Sequence, residues 1–381
     1  MFRLITKMGF AWVLALASFL ALAQDAALRG PVRIAFIGPL EGVPQAPIAQ
    51  DALVGARIYA SRTNSSGGIA GRKLEIVPFD DKFDPAQTVK KVQESTLVSP
   101  SAILTIGTAP ALAVLEAKLP ESLNLPLIPM RTGAGSVREP LNPFVFHVRA
   151  GYRQELQNIV SQLLAVGVER IALLYQDDAF GQYGRGVVRA IMSKNGKSLV
   201  AEAAYDRTTA DLAPATRKLA ASGSDALIMV AGGAQSMQFV AHARDLGYKG
   251  QIVGLSDVDP NQLISKVGAQ RARNVAISQV FPNLNNAIAH PLVREFKKSI
   301  EQSEIPNARP NNATFEGWLS VKFLVEGLRR AAAQKKSLKD ALESFRDLDL
   351  GSYRLSFSPA QHEGSTLVNL LIIGAEGRII Y

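Results

Sequence analysis

At 381 residues the chain is too long for one simple core, and it reads as two lobes that each bury an interior. Hydrophobic residues at 47% and charged residues at 20% exclude a disordered or fibrous chain. The formal charge of +9 raises the question of nucleic acid, but Lys90-Lys91, Lys297-Lys298, Arg329-Arg330 and Lys335-Lys336 are scattered over separate predicted helices without interleaved aromatics, so no nucleic-acid partner is expected.

The chain begins with Arg3 and Lys7, then an apolar run from Met8 to Ala23 that ends in the small-residue pattern Ala21-Leu22-Ala23. This reads as a secretory signal, residues 1–23, cleaved after Ala23. An apolar run of about 16 residues falls short of the roughly 20 that a spanning helix needs. There is no cysteine, hence no disulfide, no thiol nucleophile and no site for a lipid anchor, and the mature protein is expected to be free in the periplasm.

The apolar run Val32 to Ile37 predicts a buried strand, followed by the loop Gly38 to Gly42 and a helix from about Pro47 to Asn64. Strand Leu74 to Phe79 ends in Asp80-Asp81, and Asp84-Pro85 supplies a cap and first-turn proline for a helix to Leu97. Strand Ala102 to Ile106, a helix from Pro110, strand Pro126 to Pro129 and strand Phe144 to Val148 follow.

A second run repeats this grammar. The helix Tyr152 to Val166 places Leu156, Ile159, Val160, Leu163 and Leu164 on one face. Strands are then predicted at Arg170 to Tyr175, Ser198 to Tyr205, Ala226 to Val230, Ile252 to Gly254 and Val275 to Phe281, with helices between the first four. The halves match in order: Ile34 to Gly38 with Ile171 to Tyr175, Phe79-Asp80 with Tyr205-Asp206, and Gly107 with Gly232. Three helical stretches from Pro291 to Phe345 lack strands of their own, and the tail is strand-like at Tyr353 to Phe357 and from Leu367.

This alternation predicts two doubly wound parallel-sheet α/β lobes, although a single large sheet also fits. Lobe 1 is expected to hold residues 31–148 and 283–351, and lobe 2 residues 149–281 and 352–381. Three crossings, near Val148, Phe281 and Gly351, make a hinge that permits rotation and restricts sliding.

Catalytic and cofactor patterns are missing. No G-x-G-x-x-G or G-x-x-x-x-G-K-[ST] follows a strand, no G-x-S-x-G elbow exists, and the four histidines lack metal-ligand spacing. Asp80-Asp81 and Asp177-Asp178 read as caps and turn formers. We expect no enzyme activity, no cofactor and no metal. Tyr152, with Glu155 one turn on, begins the first helix of the second lobe after Arg149, where Tyr152 can reach a ligand and Glu155 either ties the hinge or serves as a plain helix-start acid.

Gly38-Pro39-Leu40-x-Gly42, the turn from Asn64 to Lys73, Phe79-Asp80-Asp81 to Asp84-Pro85, and Tyr175-Gln176-Asp177-Asp178-Ala179-Phe180-Gly181 together resemble the leucine/isoleucine/valine-binding family of periplasmic receptors over residues 31–381. The resemblance implies a monomeric, two-lobed receptor of type I periplasmic-binding fold that closes on a small solute and delivers it to ABC permease subunits. A solute sensor signalling to a membrane partner is the first alternative, a periplasmic enzyme the second. Leu40 and Glu41 of the first loop are expected at the cleft. Thr108, with Ala109 and Ala111, is the implied carboxylate holder. Arg131-Thr132-Gly133 replaces the family's small or hydroxylated residues, and an arginine there can bind a carboxylate bidentately or stand solvated beside the cleft. Phe180 stands where relatives often carry a tyrosine, and Ala234 where they carry an aromatic. Ser256 falls at the position of the acid that holds a ligand ammonium, with Asp257 next to it. Either Asp257 takes that role, or the ligand lacks an ammonium. The second is preferred, since a buried ammonium without a carboxylate is costly, and it favours an organic or aromatic acid over an amino acid.

Overall fold

A computed structural model describes residues 30–380 except 210 and 287, so the expected signal segment lies outside the described residues. β1 (Val32–Gly38), β2 (Leu74–Asp80), β3 (Ala102–Ile106) and β4 (Leu127–Met130) form an all-parallel sheet of order β2-β1-β3-β4. β1, β3 and β4 are almost wholly buried, as befits parallel strands covered by helices on both faces.

The second sheet has the order β13-β12-β9-β8-β7-β5-β6. β5 (Ile171–Gln176), β6 (Ala201–Tyr205), β7 (Ala226–Val230), β8 (Gln251–Gly254) and β9 (Val275–Gln279) run parallel, and the tail strands β12 (Asn369–Ile373) and β13 (Ile379–Ile380) add antiparallel at one edge. In each sheet the strand order reverses once within the parallel part, beside β1 and β3 in one and β5 and β7 in the other. The two reversal points place their loops on a shared crevice.

Lobe 1 is completed from far along the sequence. The helix Asn312–Gln334, buried over most of its first sixteen residues, lies against the helix Ala46–Ser65. Gly55 faces the Thr314 carbonyl and Gly317 faces the Ala52 carbonyl, so a Cβ at either position would strike backbone. This close approach seats Glu316 beneath the carboxyl end of β4, where its side chain accepts the Arg131 amide proton at 2.9 Å.

Two expectations are corrected. Residues 144–148 form no regular strand; they make single bridges, Leu127 to Val145 and His147 to Glu363. Gly351 is no crossing. It turns a hairpin between β10 (Arg346–Asp349) and β11 (Arg354–Ser356), after which Tyr353, Leu355 and Phe357 bury themselves in the core of lobe 1. The reason is aromatic packing, with the Phe357 ring 4.9 Å from that of Phe323 and 5.7 Å from that of Phe146. The third passage to lobe 2 therefore falls near Val368, because Leu367 and Val368 still pack on lobe 1 while Leu371 belongs to lobe 2. Residues 352–368 go with lobe 1. The Tyr353 hydroxyl donates to the Val148 carbonyl at 2.6 Å and approaches that of Val280 at 3.4 Å, which ties the first two passages together.

Candidate functional site

A cleft of about 160 Å3 opens between the carboxyl ends of the two sheets. It is smaller than the roughly 300–1,000 Å3 of drug-sized sites, and so suits a small solute. Lobe 1 contributes Gln45 and Ile48 from the start of one helix, Phe83 after β2, Thr108 and Ala109 after β3, and Arg131 after β4. Lobe 2 contributes Tyr152, Gln176, Asp178 and Phe180, then Arg207 after β6, Gly232 to Gln235 after β7, and Asp257 after β8.

Thr108 begins the helix Thr108–Glu116 directly behind Gly107, whose φ of +88° favours glycine. The amides of Thr108 and Ala109 sit in the first turn, where no intrahelical acceptor exists, and the helix dipole adds positive potential. The Thr108 and Thr132 hydroxyls lie 2.7 Å apart, and Thr132 Oγ1 also accepts the Ala134 amide proton at 3.3 Å. If Thr132 donates to Thr108, the Thr108 proton is free to point into the cleft. Gly232 precedes the helix Gly233–Asp245 at the matching place in the other lobe, but with an extended backbone at φ −61° rather than the positive φ of Gly107.

Charges from both lobes meet in the cleft. Asp257 accepts the Tyr152 hydroxyl proton at 2.9 Å on Oδ2 and faces Arg131 at 3.5 Å on Oδ1, while Arg131 also donates to the Asp257 carbonyl at 3.3 Å. Arg131 lies 3.6 Å from Glu316. Its φ of +54° is costly for a residue with a Cβ, by about 1–2 kcal/mol, and the Glu316 contact to its amide offsets that strain.

Behind this pair is a fully buried cluster at the first passage between the lobes. Arg149 reaches Glu155 at 3.1 Å, Glu316 at 3.6 Å and the Ser256 hydroxyl, and Glu155 accepts both the amide and hydroxyl protons of Ser256 at 2.9 Å. Burial alone would lower the Arg149 pKa, but Glu316, Glu155 and Asp257 hold it above its usual value. Burial raises that of Glu155 against the pull of Arg149. Burial, helped by Asp257, keeps the Tyr152 phenol protonated far above the usual range.

Of the residues expected from sequence, the cleft brings together Thr108, Ala109, Arg131, Tyr152, Phe180, Ala234 and Asp257. The others fall elsewhere. The Leu40 amide donates to Asp80 at 2.9 Å and its side chain packs on the lobe 1 core. Glu41 is exposed and paired with Lys82 at 2.9 Å. Ala111 is buried in its helix, its amide bonded to Gly107. Thr132 supports Thr108 from behind. Gly133 lies under Tyr152, accepting its amide proton at 2.6 Å, in a space that a Cβ would overfill. Ser256 belongs to the Arg149 cluster, and it is Asp257 that reaches the cleft.

The paired acids serve the backbone. Asp80 accepts the Leu40 and Lys82 amide protons, Asp81 those of Phe83 and the Thr88 hydroxyl, and Asp178 caps the helix Ala179–Lys194. Sequence reasoning passed over Phe83 and Arg207, which meet across the cleft with the guanidinium 5.3 Å from the ring centre. Both follow strand ends one or two residues after an acid, the one signal that could have marked them. Glu316 had none, being 185 residues from the amide it holds.

Two sheets presenting loop and helix termini across a hinge define a class, a receptor that encloses a small ligand between lobes. Residues 31–377 match the family model described as periplasmic binding protein, and the chain belongs to that family, whose type I members are non-catalytic substrate-binding receptors. It is similar to the Leu/Ile/Val-binding protein of Escherichia coli (strain K12), 26% identical over 284 residues that cover 69% of this chain and 72% of the relative. A substrate-binding periplasmic protein from Ralstonia solanacearum shares 31% identity and a TM-score of 0.86, over 92% of this chain and 99% of its own. An extracellular ligand-binding receptor from Verminephrobacter eiseniae shares 29% identity and a TM-score of 0.86, over 92% and 100%. No helix among the described residues is long and apolar enough to cross a membrane.

Proposed function

We propose that the protein is a monomeric periplasmic receptor that captures a small carboxylate in the cleft and presents it to an ABC permease. On this reading residues 1–23 direct export and are removed after Ala23, and the mature chain carries no lipid. The observation that carries the ligand class is the Thr108–Ala109 helix start, whose amides and hydroxyl form an anion-accepting cradle beside the apolar surfaces of Ile48, Phe83 and Phe180. A carboxylate would sit at the cradle and its apolar body against those side chains. The E. coli relative named for leucine, isoleucine and valine supports a carboxylate of this size.

Closure favours the bound form only by the difference in affinity between the closed and open states. Both lobes line the cleft, so a ligand held by Thr108 on one side and Phe180 or Gln235 on the other supplies that difference. The test is calorimetric titration with small aliphatic and aromatic acids and their amino-acid counterparts, paired with small-angle scattering. Binding accompanied by a smaller radius of gyration is expected. Failure of every acid and amino acid to bind, or binding without compaction, would count against the reading.

A further inference from the structure

Among the described residues the cleft is lined by two acids, Asp178 and Asp257, and neither is free to receive a cation. Asp178 Oδ1 caps its own helix through the Phe180 and Gly181 amides at 3.0 and 3.2 Å, and its Oδ2 accepts from Gln176 at 2.6 Å. Asp257 holds the Tyr152 hydroxyl on one oxygen and faces the Arg131 guanidinium with the other.

We infer that Arg131 is the residue that sets ligand specificity, by occupying Asp257 with a cation of the protein's own and so closing the cleft to solutes that carry an ammonium. The inference rests on the carboxylate reading above and narrows it to acids without an α-amino group. Arg131 comes from lobe 1 and Asp257 from lobe 2, so the pair forms as the lobes approach. The arginine is not a loose surface side chain. Only 9% of its side chain is exposed, its amide is fixed by Glu316, and its backbone is held in the left-handed region that points it along this path. A ligand ammonium next to Asp257 would meet the guanidinium at close range, a like-charge contact in a partly dehydrated site. A ligand with hydrogen or an apolar group at that carbon meets no such cost.

Matched pairs isolate the amino group, namely 3-phenylpropanoate against phenylalanine and 4-methylpentanoate against leucine. Calorimetric titration of the mature protein should show the acid of at least one pair bound tenfold or more tightly than its amino acid. Arg131→Met should shrink that ratio at least tenfold, with the gain in amino-acid affinity lost again in Arg131→Met/Asp257→Asn. Arg131→Lys, which restores a cation, should keep the wild-type preference and guards against a loss of fold in the methionine variant. Tighter binding of the amino acids by the wild type, or an unchanged ratio in Arg131→Met, overturns this inference and leaves the carboxylate reading standing. Binding of neither member of either pair, where other acids of the wider titration do bind, overturns this inference alone; failure of every acid and amino acid overturns both.

Discussion

Replacing Arg149 by methionine tests whether the buried cluster at the first passage holds the two lobes in register. Arg149 is 1% exposed, and among the described residues its removal leaves Glu155 buried with only Ser256 as a close donor, and Glu316 with only Arg131. Taking one partner from a buried ion pair costs about 3–5 kcal/mol, a large fraction of a total stability of about 5–15 kcal/mol. For lobes of this size that corresponds to a fall in Tm of roughly 10 °C. The loss should depend on pH. Burial already raises the Glu155 pKa in the folded protein, and Arg149 opposes that rise, so the variant raises it further. An acid whose folded pKa lies above its unfolded one contributes stability below the unfolded value, and loses that contribution as pH rises through the folded value. The gap between wild type and variant should therefore narrow from pH 7 towards pH 5, by at most about 1.4 kcal/mol per pH unit for one proton. Urea denaturation followed by fluorescence of Trp318, which lies against Tyr59 and Phe296, gives the measurement. A loss below about 1 kcal/mol, or a gap that is the same at pH 5 and pH 7, would refute the role assigned to Arg149.

Other consequences are more local. Thr108→Val removes a hydroxyl from the anion cradle and should weaken acid binding by about 1.5–3 kcal/mol, roughly ten- to a hundredfold by calorimetry, with the ligand-free Tm lowered far less. Phe83→Ala removes the ring beneath Arg207 that links the lobes at the cleft mouth. A contact of this kind is worth about 0.5–1 kcal/mol at an exposed site, so ligand dissociation measured by stopped flow should quicken a few-fold. Gly317→Ala gains up to about 1 kcal/mol of helix propensity but drives a methyl into the Ala52 carbonyl, so a net loss of about 1–3 kcal/mol is expected in chemical denaturation. Combining it with Gly55→Ala should cost less than the sum of the two, because the same helix pair has already been forced apart.

The scaffold was legible because its signals are local. Val32 to Ile37 announces a strand buried on both faces, Asp84-Pro85 a helix start, and Gly107 and Gly232 the turns that open helices at the carboxyl ends of strands. The helix from Tyr152 took Leu156, Ile159, Val160 and Leu163 of its predicted stripe into the core, with Leu164 half-buried against it. Gly351 misled for an equally local reason. A glycine before a strand-like tail fits a passage between lobes as well as a hairpin turn, and only the packing of Tyr353 and Phe357 on distant aromatics separates the two.

The site was legible where one residue acts through its own backbone and obscure where charges meet from separate segments. Thr108 was named through the family resemblance, and it stands at the first turn of a helix, where free amides attract anions. From sequence Arg131 is either a carboxylate binder or a solvated arginine beside the cleft, and it is neither because Glu316 and Asp257 converge on it from 185 and 126 residues away. The same convergence links the cleft to the hinge. Asp257 follows Ser256, Ser256 binds Glu155, and Glu155 and Glu316 share Arg149 at the passage between lobes. A group that changes the charge beside Asp257 therefore acts two contacts away from the point about which the lobes turn. Ligand choice and lobe closure draw on one set of ion pairs, so a substitution at Arg131 should alter the affinity ratio and the extent of compaction together. One at Thr108, outside that set, should weaken the binding of acids and amino acids alike and leave their ratio unchanged.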